Sequence, residues 1–218
     1  MDNTKQKTRR FFEYGFPVGF LPRGARNSIA DVAGVLAGHC TRIEGEDTRT
    51  GVTIIDPGIS NLFRKKLPCA IAVGNGFGKL VASTQVEELG TLEAPIGLTN
   101  TLAVGPVMRG LVDIVVAEAR DIDPMETVNV IVGETNDGFL NAIHKDIITK
   151  NDARAAFNVR NADFAVGNVG AGAGTRAFSW KGGIGTASRS VLIGADSYTV
   201  GVITQTNYGG SLTILGVS

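Results

Sequence analysis

Residues 167–188 read GNVGAGAGTRAFSWKGGIGTAS, and the use made of these glycines decides the fold. A phosphate loop would need a Lys and a Ser/Thr directly after its last Gly. Gly174 is followed by Thr175 and Arg176, and the spacing does not match G-x-G-x-x-G either. Glycine otherwise serves where two backbones come close, or where a bend requires positive φ. The run therefore reads as a crowded core or a site built from backbone. Two further polar islands sit in apolar surroundings: Gly133-Glu-Thr-Asn-Asp-Gly138 and Gln205-Thr-Asn-Tyr-Gly-Gly210.

Around these islands the chain reads as a mixed α/β protein. The apolar runs Gly51–Ile55 and Cys69–Val73 suggest strands. So do Val128–Val132, Phe164–Val166, Ala177–Lys181, Tyr198–Gln205 and Leu212–Val217. Thr84–Leu89 reads as a short helix and Lys150–Asn158 as another. The longest helix spans about Leu102 to Arg120, with Val104, Val107, Met108, Leu111, Val115 and Ala119 at helical spacing. Thr99 or Asn100 serves as its cap. Lys5–Arg26 reads as an irregular arm, so the expected division is an arm over 1–26 and one scaffold domain over 27–218. Strands with few charges imply sheets covered on both faces.

The 218 residues carry no formal net charge, which argues against nucleic acid and against a polybasic membrane surface. No window approaches the roughly 18 apolar residues of a membrane span. The charged N-terminal stretch is not read as a secretory signal. Two cysteines in such a chain suggest a reducing cytoplasm rather than a disulfide framework.

Three residues are candidates for chemistry. Glu134 follows an apolar strand, where a carboxylate suits a substrate ammonium; capping a helix or pairing with an arginine fits equally. Asn207 ends a strand before Gly209-Gly210. Its amide is a neutral donor suited to an oxyanion, or a turn former. Asn136 lies beside Glu134 in the same island. His39 and Cys40 do not complete a zinc ligand set, and Gly-x-Ser-x-Gly is absent, so neither a metal nor another cofactor is expected.

Taken in order, many blocks resemble the autoprocessed N-terminal-serine aminopeptidases, including the L-aminopeptidase/D-amidase-esterase and the β-peptidyl aminopeptidases. The matching stretches are Asn27–Val35 with Gly38-His39, Arg49–Thr53, Asn75–Lys79, Thr84–Glu93, Leu98–Thr101, Gly133–Gly138, Gly167–Gly172, Lys181–Ser188 and Tyr198–Val202. The resemblance implies a four-layer αββα sandwich like that of N-terminal-nucleophile hydrolases, with its own connectivity. It implies a precursor that cleaves itself before a serine, whose own amine then serves as the base. This chain would be the larger subunit. A β-chain from the same precursor would bring the nucleophile, and the chain alone would be inactive. Ser218 stands where members commonly have Pro and is not taken as that nucleophile. The resemblance assigns Asn207 to the oxyanion hole and Glu134 to the substrate ammonium. Asn136 departs from members with an aromatic residue there and bears on substrate preference. The expected partners are the β-chain, further α/β pairs in a tetramer or larger assembly, and a small peptide or amino-acid amide. The alternatives are a non-catalytic binding protein on this scaffold and an acyltransferase like the ornithine acetyltransferases.

Overall fold

The computed structural model describes residues 10–16 and 18–217. Thus the first part of the expected arm, and Ser218, lie outside the described residues.

One sheet organises the chain. Its strands are β1 (Leu36–Glu44), β2 (Thr48–Asp56), β5 (Ile96–Asn100) and β6 (Val132–Thr135), adjacent in that order. Between β2 and β5 the chain forms a small ribbon of β3 (Leu67–Pro68) and β4 (Thr91–Leu92), with helix α1 (Ser83–Leu89) between them. β1 pairs antiparallel with β2, and β2 with β5. β5 and β6 are parallel, so the chain must cross over between them. Helix α2 (Val104–Glu118) makes that crossover. The Asn100 side chain starts it, accepting from Leu102 N at 2.9 Å and Ala103 N at 3.0 Å. Pro106 is tolerated because it falls in the first turn, where N–H groups lack helical partners anyway. Val107, Leu111, Ile114 and Val115 form the buried stripe of α2. With α3 (Lys150–Asn158) it covers one face of the sheet, and Val52, Ile54, Val132, Ala153 and Phe157 complete this core.

The opposite face of β2 presents Gly51 and Thr53, and here the glycine run is used. Gly170–Gly172 forms a buried 3₁₀ turn directly against the sheet. A Cβ on Gly51 would lie 2.5 Å from the Gly170 carbonyl oxygen, and one on Gly172 would lie 2.5 Å from Ile184 N. Above this seam stands a hairpin of β9 (Ile184–Ile193) and β10 (Asp196–Gln205), entered through the two-residue strands β7 (Arg176–Ala177) and β8 (Trp180–Lys181). Polar contacts fasten the seam: Ala171 N donates to Thr53 Oγ1 at 3.1 Å, and Gly170 N to Thr41 Oγ1 at 2.7 Å. Helices, sheet and hairpin make three layers of the αββα order. The outward-facing Tyr198, Val200 and Val202 of β10 are about half exposed.

Several expected strands are corrected. Cys69–Val73 is irregular: Cys69 N still donates to Gly90 O at 2.8 Å, but Gly90 is the left-handed cap of α1 and the partner strand β4 begins only after it. The strand expected over Val128–Val132 begins only at Val132; Asn129 N is drawn instead to Glu93 Oε1 at 2.7 Å. Phe164–Val166 forms no strand. Ala177–Lys181 splits around positive φ at Phe178 and Ser179. Leu212–Val217 closes on itself, with Ile214 and Val217 exchanging backbone bonds. After a 3₁₀ turn at Phe11–Tyr14, the arm runs along β9, where Ser190 N donates to Pro22 O at 2.8 Å.

Candidate active site

The three candidate residues meet at one rim, where β5, β6 and β10 end. Parallel register sets Glu134 beside Thr99 and Thr135 beside Asn100. Gln205, the last residue of β10, locks the layers together there. Its Nε2 reaches Thr135 Oγ1 at 2.7 Å, Thr99 O at 3.0 Å and Ala171 O at 3.0 Å. Two residues on, Asn207 Oδ1 accepts from Asn136 N at 3.1 Å, and its Nδ2 donates to Arg176 O at 2.9 Å. An amide nitrogen carries two hydrogens, so this bond leaves one to aim at a reacting group.

Glu134 has a carboxylate only 7% exposed. It accepts from Lys79 N at 2.8 Å, and Lys79 Nζ stands 3.8 Å away while donating to Thr101 Oγ1 at 2.6 Å. Gly78 makes this approach possible, since a Cβ there would collide with Glu134 Oε1. Among the described residues Glu134 is therefore neither a helix cap nor an arginine partner. Asn136 uses its side chain locally, accepting from Gly138 N at 2.8 Å to close the turn. Its backbone rather than its amide reaches Asn207.

Asp137 points the other way, into the protein. It is 1% exposed, accepts from Asn141 Nδ2 at 3.0 Å, and leaves Oδ2 without a partner among the described residues. Burial pushes its pKa up, against the opposing pull of neighbouring polar groups that include the Asn141 amide. Burial lowers the pKa of Lys181, whose Nζ donates to Gly172 O at 2.9 Å and Gly182 O at 2.8 Å. His39 stands away from the rim. Its ring bonds Thr53 Oγ1 and Ala165 O, each at 2.9 Å, and burial lowers its pKa. Cys40 donates to Asp152 at 3.2 Å, and burial raises its pKa to about 11. Among the described residues no group of three or more His, Cys, Asp or Glu is arranged to hold a metal. No described helix is long and apolar enough to cross a membrane.

Sequence reasoning passed over Lys79 and Arg176. Lys79 ends the polar stretch Asn75–Lys79, which reads as a turn and does form one: Phe77 N donates to Asn75 Oδ1 at 3.0 Å. Arg176 lies in the glycine run, and nothing in its spacing ties it to Asn207.

Known proteins resemble this chain over most of its length. The β-peptidyl aminopeptidase BapA of Sphingosinicella xenopeptidilytica is 38% identical, over 94% of this chain and 53% of that protein. The enzyme of the same name from Sphingosinicella microcystinivorans is 37% identical, over 90% and 51%. The chain thus spans about half the length of these curated relatives. Among solved structures, a Pyrococcus horikoshii OT3 protein superposes with a TM-score of 0.90 at 42% identity, over 94% of this chain and 61% of that one. The L-aminopeptidase D-Ala-esterase/amidase of Ochrobactrum anthropi, described as a prototype serine aminopeptidase and a new variant of the N-terminal-nucleophile hydrolase fold, superposes at 0.81 with 31% identity, over 88% and 56%. The present fold is therefore of that type. The model of peptidase family S58 matches residues 27–218, and the chain belongs to that family.

Proposed function

We propose that this chain is the larger subunit of a self-processed serine aminopeptidase or amidase. In this reading a β-chain from the same precursor brings an N-terminal serine to the rim of β5, β6 and β10. The serine hydroxyl gives its proton to its own amine and attacks the substrate carbonyl. Glu134 holds the substrate ammonium, which restricts cleavage to the N-terminal residue. Asn207 donates its second amide hydrogen to the oxyanion, the terminal ammonium passes its proton to the departing amine as the C–N bond breaks, and water then releases the acyl group from the serine. Asn136 shapes the floor through its closed turn. The carrying observation is the bond from Asn136 N to Asn207 Oδ1, which brings the acid-bearing strand end and the amide to one place. Similarity to β-peptidyl aminopeptidases and to a serine aminopeptidase supports the same reading. Several α/β pairs would assemble, in the cytoplasm.

The test is to express the uninterrupted gene and measure the intact mass and N-terminal residue of every chain that co-purifies. The expected result is a smaller chain beginning with Ser, in a preparation that releases N-terminal residues from amino-acid amides or β-peptides. A preparation with no such chain and no hydrolysis would overturn the proposal.

A further inference from the structure

The cations at the rim are not equally committed. Lys79 faces Glu134 and Thr101. Lys181 spends its ammonium on two backbone carbonyls. Arg176 differs: among the described residues its guanidinium has no anion and no hydrogen-bond acceptor, and the side chain is exposed. It is nevertheless fixed in place. Its guanidinium carbon lies 4.2 Å from the centre of the Phe139 ring, and its own carbonyl is held by Asn207. Pairing with Lys181 in the β7–β8 ribbon restrains its backbone. A guanidinium stacked on an aromatic face keeps its N–H edge free, and that edge matches a carboxylate through two parallel bonds.

We propose that Arg176 binds the C-terminal carboxylate of a short peptide whose ammonium is held at Glu134. The proposal rests on the aminopeptidase reading and names the substrate class: unblocked zwitterionic peptides, preferred over their amides. Asn207 ties together the two segments that carry these charges, its Oδ1 accepting from the backbone N of Asn136, two residues after Glu134, and its Nδ2 donating to the backbone carbonyl of Arg176.

The test compares one dipeptide with its C-terminal amide on the mature enzyme, by steady-state kinetics and by calorimetric binding under conditions where turnover is negligible. The expected preference for the free carboxylate is about tenfold, the low end for a hydrogen bond to a charged group at an exposed site, and it is carried by KM. In Arg176→Met the ratio falls to about one, and in Arg176→Glu it inverts. Equal affinity for the two ligands in the parent overturns the proposal, as does a preference that survives in Arg176→Met. If neither peptide is cleaved, the aminopeptidase reading fails, while calorimetry still decides whether Arg176 selects the carboxylate.

Discussion

Removing the Asn207 amide is the sharpest test of the proposed chemistry. The side chain makes two bonds, to Asn136 N at 3.1 Å and Arg176 O at 2.9 Å. Each neutral bond of this kind is worth about 0.5–1.5 kcal/mol, so Asn207→Ala should cost about 1–3 kcal/mol of local stability. Its catalytic cost is separate. Loss of one oxyanion donor lowers kcat about 10²–10³-fold, or roughly 3–4 kcal/mol, with little change in KM. Asn207→Asp separates the two effects. It keeps the acceptor for Asn136 N but turns a carboxylate towards the Arg176 carbonyl and the developing oxyanion. Both variants should therefore lose kcat, while the aspartate retains the bond to Asn136. The proposed self-cleavage would also pass through an oxyanion, so mass spectrometry must first confirm full processing. Fully processed Asn207→Ala enzyme with kcat within threefold of the parent would mean that Asn207 only ties the rim together.

Glu134→Gln keeps a side chain of the same shape but removes the charge proposed to hold the substrate ammonium. kcat/KM on amino-acid amides should fall about 10–150-fold with folding and maturation intact, and normal turnover would sink the assignment. Gly51→Ala places a methyl against the Gly170 carbonyl, which is backbone and cannot swing aside. It should cost at least about 1–3 kcal/mol in denaturant unfolding, whereas Gly105→Ala on α2, with open space around it, should gain about 0.5–1 kcal/mol. Similar midpoints for the two would refute the seam. Asp137 has a raised pKa, so its folded form keeps a proton to higher pH than the unfolded chain does. The stabilisation is present below the ordinary carboxylate range and is lost as pH rises through the folded pKa. Asp137→Asn avoids that loss, so the Tm of the variant should gain on the parent from about pH 4 towards neutrality. A difference that does not vary with pH would contradict it.

The helices were the most legible part of the sequence. α3 runs over Lys150–Asn158 as read, and α2 carries the expected stripe except at Met108, which is 40% exposed and lies off the buried face. Strands were legible where the ladder was regular, as in β2 and β10. They were lost where a partner was missing: Cys69–Val73 is as apolar as a strand, but the segment facing it beyond β4 is helix α1. β9 escaped notice because its first residues, Ile184-Gly-Thr-Ala-Ser, are small rather than apolar, a composition set by the seam beneath them. The site lay further from view. Asn136 and Asn207 are 71 residues apart, and only family resemblance joined them before the hydrogen bond did. Arg176 had no signal, since its meaning comes from Phe139 and Asn207 together.

The seam between sheet and hairpin has a thermodynamic corollary. Layers joined through side chains bury hydrocarbon, and separating them raises the heat capacity. Here the joint is largely peptide backbone with threonine and glutamine bonds, and exposed polar surface lowers heat capacity instead. Lifting β9–β10 off the sheet should therefore show a small or negative heat-capacity increment. Its temperature dependence would be flatter than that of the helix-covered core. Cooling, which weakens apolar burial, would loosen the core before it loosened the joint.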